Sequence, residues 1–270
     1  MRMQYFQYKG IDIRFNLYGS HENPALLLFH GYLESLEIWE EFIPLLLDDY
    51  YVIAMDLPGH GKSGVFSSVH RMDDLAESAY FLISSLGIKK VHLAGHSMGG
   101  YVALAFREDF YYSSMSCVLF HSTCYSDTPE KKENRKREIE LVKNGKKDII
   151  INTNIPRAFA DDNLEKFRSK VERAKKIAGD SDNQGIIALL NGMKERPDRS
   201  ILLKDDNIPV LVIAGKKDNY IPFEVAEGLI EHGTNIELAV LENSGHMGFI
   251  EEREKAAMIL KAFLNKHNNQ

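Results

Sequence analysis

Three side chains in this sequence could together carry out nucleophilic acyl chemistry: Ser97, Asp218 and His246. Ser97 stands in Gly95-His96-Ser97-Met98-Gly99, which fits G-x-S-x-G. A serine hydroxyl is a weak nucleophile at its free pKa. It needs a neighbouring base, and the base needs an acceptor that fixes its tautomer. His246, in Gly245-His246-Met247-Gly248 past the last apolar run, reads as the base. Asp218 is the only carboxylate between the apolar run Val210 to Ala214 and Pro222, and it reads as the orienting acid. Asp127 is the rival for that role, placed deeper in a charged segment. The chain order Ser, Asp, His is the order such a triad takes when the serine sits on a strand-to-helix turn. The plainer readings are an N-capping serine and a surface-loop histidine; the pattern as a whole favours the triad.

A tetrahedral oxyanion needs two N–H donors. Met98, directly after the nucleophile, is one candidate. Tyr32, after the run Ala25 to Phe29 and the pair His30-Gly31, is the other. His30, Gly31 and His96 are expected to touch the substrate. The acyl or alcohol group is expected to lie in a mostly apolar pocket near Tyr32 and Met98, which favours an uncharged ester.

Eight apolar runs must position these groups. Tyr5 to Tyr8 and Ile11 to Leu17 flank Lys9-Gly10, and in the second run apolar residues alternate with Asp12, Arg14 and Asn16. That period of two marks an antiparallel pair at a sheet edge. Ala25 to Phe29, Tyr51 to Met55, Val91 to Ala94, Met115 to Phe120, Pro209 to Ala214 and Ile236 to Leu241 are short and continuous, as strands covered on both faces are. Helical spacing is expected for Trp39 to Leu46, Met72 to Leu86, the residues after Gly100, Phe223 to Glu231 and Ile250 to Leu264. Strands alternating with helices imply a mainly parallel sheet wrapped by helices. Between Ser122 and Leu203 no strand pattern occurs. Leu164, Phe167, Val171, Ala174 and Ile177 keep three-to-four spacing there, as do Ile186, Ile187, Leu190 and Met193. This reads as a helical insertion. The expected organisation is a core of residues 1–121 and 204–270 with a cap of 122–203 inserted after the sixth strand.

The 270 residues are 44% hydrophobic and 27% charged, which is globular composition. A net charge of -6 argues against a nucleic acid or an anionic membrane as partner. The mixed signs in Glu130 to Val142 fit a solvated helix face. Cys117 and Cys124 form neither a disulfide framework nor a metal-ligand pair. Gly59, Gly61 and Gly64 satisfy G-x-G-x-x-G, but no helix opens directly on that loop, so the match is weak. No metal and no cofactor are expected. Neither a secretory leader pattern nor a spanning apolar run is evident, and the expectation is a cytoplasmic protein, monomer or homodimer, acting on a small molecule.

Taken together, His30-Gly31, Asp56-Leu57-Pro58-Gly59-His60-Gly61-Lys62-Ser63, Gly95-His96-Ser97-Met98-Gly99-Gly100, Asp218 and His246 resemble the α/β-hydrolase fold superfamily over nearly the whole chain. Within it the chain looks like the small carboxylesterases. The resemblance implies an eight-stranded, mostly parallel sheet, a variable cap at Ser122 to Leu203, and a structural role for the Asp56 to Ser63 stretch. It implies a serine hydrolase cleaving carboxylic esters through an acyl-enzyme. Serine at the nucleophile position argues against dehalogenases and epoxide hydrolases of the same fold, which place aspartate there. Two alternatives share the triad. One is carbon–carbon bond hydrolysis or a lyase reaction like that of menaquinone-pathway relatives, although ring-cleavage hydrolases often carry asparagine where His96 stands. The other is a ligand sensor with slow incidental hydrolysis. Fold alone separates none of them.

Overall fold

The computed structural model describes residues 3–268. Eight strands form one sheet: β1 (Gln4–Tyr8), β2 (Ile11–Tyr18), β3 (Ala25–Phe29), β4 (Tyr51–Met55), β5 (Val91–His96), β6 (Ser114–Phe120), β7 (Val210–Gly215) and β8 (Ile236–Leu241). Their order is β1-β2-β4-β3-β5-β6-β7-β8. β1 pairs antiparallel with β2, and β2 antiparallel with β4; every other pairing is parallel. This is the mostly parallel, helix-flanked sheet that the alternation implies.

The central strands are buried along their whole length because both faces are covered. Every residue of β3, β5 and β7 is buried. In β2 Asp12 is exposed between less exposed neighbours and Ile13 and Phe15 are buried, as alternation predicts, whereas Asn16, Leu17 and Tyr18 are all half-buried. Arg14, on its nominally polar face, is also buried, because its guanidinium pairs with the buried Asp56 and with Glu37. A charge can be buried there only because it is paired.

After β3 the expected helix is replaced by two short 3₁₀ turns, Leu36–Trp39 and Ile43–Leu45. Pro44 cannot donate the backbone bond that a continuing helix needs. The apolar residues still face inward. Trp39 and Phe42 pack with Phe120 and Phe249, the Trp39 and Phe249 rings lying 4.4 Å apart. The first long helices, α1 (Met72–Ser85) and α2 (Met98–Asp109), pack against each other.

Between β6 and β7 the chain forms α3 (Pro129–Lys143), α4 (Lys147–Arg157), α5 (Arg168–Gly179) and α6 (Asn183–Glu195), and among the described residues no strand occurs there. Thr128 and Asp182 cap α3 and α6 through side-chain oxygens, satisfying N–H groups that have no partner within the helix. Salt bridges from Lys170 and Arg173 on α5 to Glu41 and Glu40 tie this segment to the loop after β3. The chain closes with α7 (Phe223–Leu229), α8 (Gly248–Glu251) and α9 (Arg253–Lys266). The single expected closing helix is thus broken at Glu252, whose φ of -128° and ψ of 51° leave the helical region. Among the described residues no helix is long and apolar enough to cross a membrane.

Candidate active site

Ser97 lies between the end of β5 and the start of α2, with φ 51° and ψ -114°. A side-chain-bearing residue in this region costs about 1–3 kcal/mol and persists only where its surroundings enforce it. Here they do. The Ser97 N–H donates to the Phe120 carbonyl at 3.0 Å, and Ser122 Oγ donates to the Ser97 carbonyl at 2.7 Å. A Cβ on Gly95 would collide with the Gly99 carbonyl, and one on Gly99 would collide with the Phe29 carbonyl, so the turn closes this tightly only with glycine at both places.

The His246 loop follows β8. The His246 N–H donates to the Ala158 carbonyl at 2.7 Å, which joins this loop to the end of α4. His246 Nδ1 lies 2.7 Å from Asp218 Oδ2. Asp218 sits just beyond β7, and its Oδ1 accepts N–H bonds from Tyr220 (2.7 Å) and Ile221 (3.0 Å). Burial works to raise the Asp218 pKa. The His246 imidazole and the hydrogen bonds from His121 and His246 outweigh it and hold the carboxyl well below its ordinary value. Asp127 is engaged elsewhere: it pairs with Arg135 and Arg196, each at 2.5 Å. The structure therefore brings Asp218, and not Asp127, to His246.

Met98 opens α2, and its N–H belongs to the first turn, where donors lack partners within the helix. Among the described residues neither the Met98 N–H nor the Tyr32 N–H is paired with an acceptor. The helix N-terminus favours negative charge at that point.

A family model for the α/β hydrolase fold matches residues 24–144. The chain is 30% identical over 256 residues to (E)-2-((N-methylformamido)methylene)succinate hydrolase of Acinetobacter baylyi, covering 90% of this chain and 91% of that protein. It is 32% identical to the dihydrolipoyllysine-residue acetyltransferase component of an acetoin cleaving system from Pseudomonas putida, spanning 92% of this chain but only 65% of that protein's length. A thermophilic esterase from Thermogutta terrifontis superposes with a TM-score of 0.93 at 28% identity, covering 99% of this chain and 100% of that one. The chain belongs to the α/β hydrolase fold family. Its hydrolase relatives support a hydrolytic activity.

In this α/β hydrolase the Asp56 to Ser63 stretch fastens the loop that carries Tyr32. Asp56 Oδ1 accepts the Leu36 N–H at 2.8 Å, and Oδ2 accepts from Arg14 Nε (2.5 Å) and the Lys62 N–H (2.7 Å). His60 Nε2 accepts the Leu33 N–H at 2.7 Å. Burial pushes the His60 pKa down to about 3, so the ring stays neutral and keeps that lone pair.

The three expected substrate contacts need correction. His30 is buried, with Nε2 accepting the Leu57 N–H at 3.0 Å and Nδ1 lying 2.8 Å from the Gly31 carbonyl. His96 is buried between Glu34 and the His246 carbonyl. Both nitrogens of each ring are engaged by the protein, so neither ring has a free nitrogen to offer a substrate. The Gly31 N–H is likewise taken, by Glu34 Oε2 at 2.6 Å. The expected apolar surround is also modified. The Tyr32 hydroxyl is buried, and burial, with Glu138 adding to it and Arg135 opposing it, holds its pKa well above the ordinary value.

Sequence reasoning missed three residues. Glu34 is one. His121 follows β6; its Nε2 lies 3.1 Å from the Gly248 N–H, and its Nδ1 lies 3.1 Å from the Gly215 nitrogen and 3.5 Å from Asp218 Oδ2. With Asp218 and His246 it brings ligand-type atoms within 4.8 Å of one another, although the bond between Asp218 and His246 already occupies two of them. Glu251 accepts N–H groups of Ala160, Gly245 and Met247 and the Asn163 amide, holding the His246 loop against the segment after α4. No spacing rule links these residues to Ser97; only the folded chain does.

Proposed function

We propose that this chain is a serine hydrolase of carboxylic esters. Ser97 attacks the ester carbonyl, and His246 takes its proton and returns it to the leaving alcohol. Asp218 holds the imidazole with its proton on Nδ1 and stabilises the imidazolium. The Met98 and Tyr32 N–H groups receive the oxyanion. Water activated by His246 then releases the acyl group. The observation that carries this reading is the 2.7 Å contact between His246 Nδ1 and Asp218 Oδ2, with the other carboxylate oxygen fastened by two backbone N–H groups. The strained Ser97 turn and the likeness to the Thermogutta esterase support it. In this reading residues 122–203 form a cap over a core of 1–121 and 204–270.

The test is a burst assay with p-nitrophenyl acetate and butyrate. Wild type should show a burst and steady turnover. Ser97→Ala should lose about 10⁴- to 10⁶-fold in rate. Equal rates in both proteins would refute the assignment.

A further inference from the structure

Glu34 and His96 lie against the Gly31 N–H and the His246 carbonyl, and the hydrolytic steps leave them without a task. Both are buried. His96 Nδ1 lies 3.0 Å from Glu34 Oε2, and His96 Nε2 lies 2.8 Å from the His246 carbonyl oxygen. Glu34 Oε2 also accepts the Gly31 N–H at 2.6 Å. The ring packs so closely under the Gly31 peptide that a Cβ on Gly31 would stand 2.8 Å from His96 Nδ1.

We propose that Glu34 and His96 are a positioning pair for ester hydrolysis: Glu34 fixes the His30–Gly31 peptide, which directly precedes the Tyr32 N–H on the oxyanion side, and His96 fixes the backbone of the base. The proposal rests on the serine hydrolase reading. His96 directly precedes Ser97, so one buried point sets the nucleophile, the oxyanion donor and the base relative to one another.

Donor and acceptor chemistry supports the link. The His246 carbonyl can only accept, so His96 Nε2 carries a proton. Glu34 Oε2 accepts from Gly31 and faces Nδ1, so an ionised carboxylate opposite a doubly protonated ring satisfies every group. Burial opposes both charges. Glu34 nevertheless raises the His96 pKa, and His96 lowers that of Glu34. The other titratable groups facing the pair are His30 and His60 beside Glu34, and His246, His121 and Asp218 beside His96. The His96 and His246 rings are 4.8 Å apart.

A misplacement of about 1 Å at a reacting centre costs roughly 10²-fold in rate. Oxyanion contacts strengthen only in the transition state, so the loss belongs in kcat and not in KM.

The experiment compares wild type, Ser97→Ala, Glu34→Gln, His96→Asn and the Glu34→Gln/His96→Asn double variant on p-nitrophenyl butyrate. Fluorophosphonate labelling and thermal melts accompany the kinetics. Glu34→Gln and His96→Asn should each lower kcat by about 10- to 100-fold, with KM within about threefold. The double variant should be no slower than the worse single one, because the two act as a unit. Imidazole ¹⁵N spectra of the wild type should show Nε2 of His96 protonated throughout, and both His96 nitrogens still protonated at the pH where an ordinary histidine is half neutral, the signal being assigned by its loss in His96→Asn. Wild-type kcat in folded single variants, or a His96 ring with an unprotonated Nε2, would overturn the pairing alone. Failure of wild type to turn over ester or to label at Ser97 would overturn the serine hydrolase reading, and the pairing with it.

Discussion

Replacing Asp218 with asparagine tests the proposed triad at its most informative atom. The two side chains have nearly the same shape. The asparagine carbonyl can keep the bonds from the Tyr220 and Ile221 N–H groups at 2.7 and 3.0 Å, so the loop after β7 should hold. Its amide then replaces Oδ2 and faces His246 Nδ1 across 2.7 Å. An NH₂ group can only donate there, which forces the imidazole proton onto Nε2. That nitrogen can no longer take the Ser97 proton. The wrong tautomer with intact geometry costs about 10⁴ in kcat in triads of this design. The assay is stopped-flow turnover of p-nitrophenyl butyrate, with fluorophosphonate labelling of Ser97 as a readout independent of substrate choice. Both should fall together, by more than 10³-fold, while the melt stays cooperative. Asp127→Asn is the control: its two arginine partners place it outside the chemistry, so it should lower stability more than kcat. Activity of Asp218→Asn within tenfold of wild type would refute the orienting role.

Two further outcomes follow from the same contacts. Gly99→Ala drives a Cβ into the Phe29 carbonyl and to 2.8 Å from the His30 carbonyl, both at the strand end that leads to Tyr32. It should destabilise by about 1–3 kcal/mol or more and reduce turnover, and a wild-type melt with wild-type activity would refute that packing. Acid should destabilise the fold well above the carboxylate range. Burial lowers the pKa of His60 to about 3 and those of His92 and His121 to about 4, whereas unfolded histidine titrates near 6.5. Between about pH 6.5 and 4 the unfolded chain binds protons that the native chain refuses, so stability falls as pH falls. Each group contributes about 1.4 kcal/mol per pH unit in that window, roughly 4 for the three. A denaturation midpoint that does not change from pH 6.5 to 4.5 would refute the neutral, buried state of these rings.

The sheet was legible because its strands are short apolar runs punctuated by glycine, proline and polar turns, and all eight fall where those runs lie. The turn around Ser97 was legible for a steric reason: Gly95 and Gly99 stand where no side chain fits. The stretch from Trp39 to Leu46 misled because inward-facing apolar spacing survives in 3₁₀ turns, and only Pro44 signals that no helix runs through it. His30 and His96 misled for a different reason. A histidine near a nucleophile reads as a contact residue, but burial and two protein partners for each ring make these two part of the frame. Arg14, Glu34 and Glu251 are buried charges with partners 42, 62 and 91 positions away, distances that no local pattern encodes.

These buried charges bear on how the chemistry is held. The three loops around the candidate site, after β3, β7 and β8, come from separate parts of the chain, and loops are ordinarily the mobile parts of a fold. Here each is fastened by a carboxylate or an imidazole that accepts backbone N–H groups: Asp56 and His60 for residues 33–36, Glu34 for Gly31, Asp218 for residues 220–221, and Glu251 for the His246 loop. A buried acceptor that loses its donors pays the full desolvation cost, so each loop has one strongly preferred position. The Glu251 carboxylate also accepts from Ala160 and Asn163, and the His246 N–H reaches Ala158. The proposed base is therefore fastened to the segment between β6 and β7 as well as to the sheet. Movement of the 158–163 segment would be felt at His246 before it was felt at Ser97, whose own contacts run to β6 and its exit.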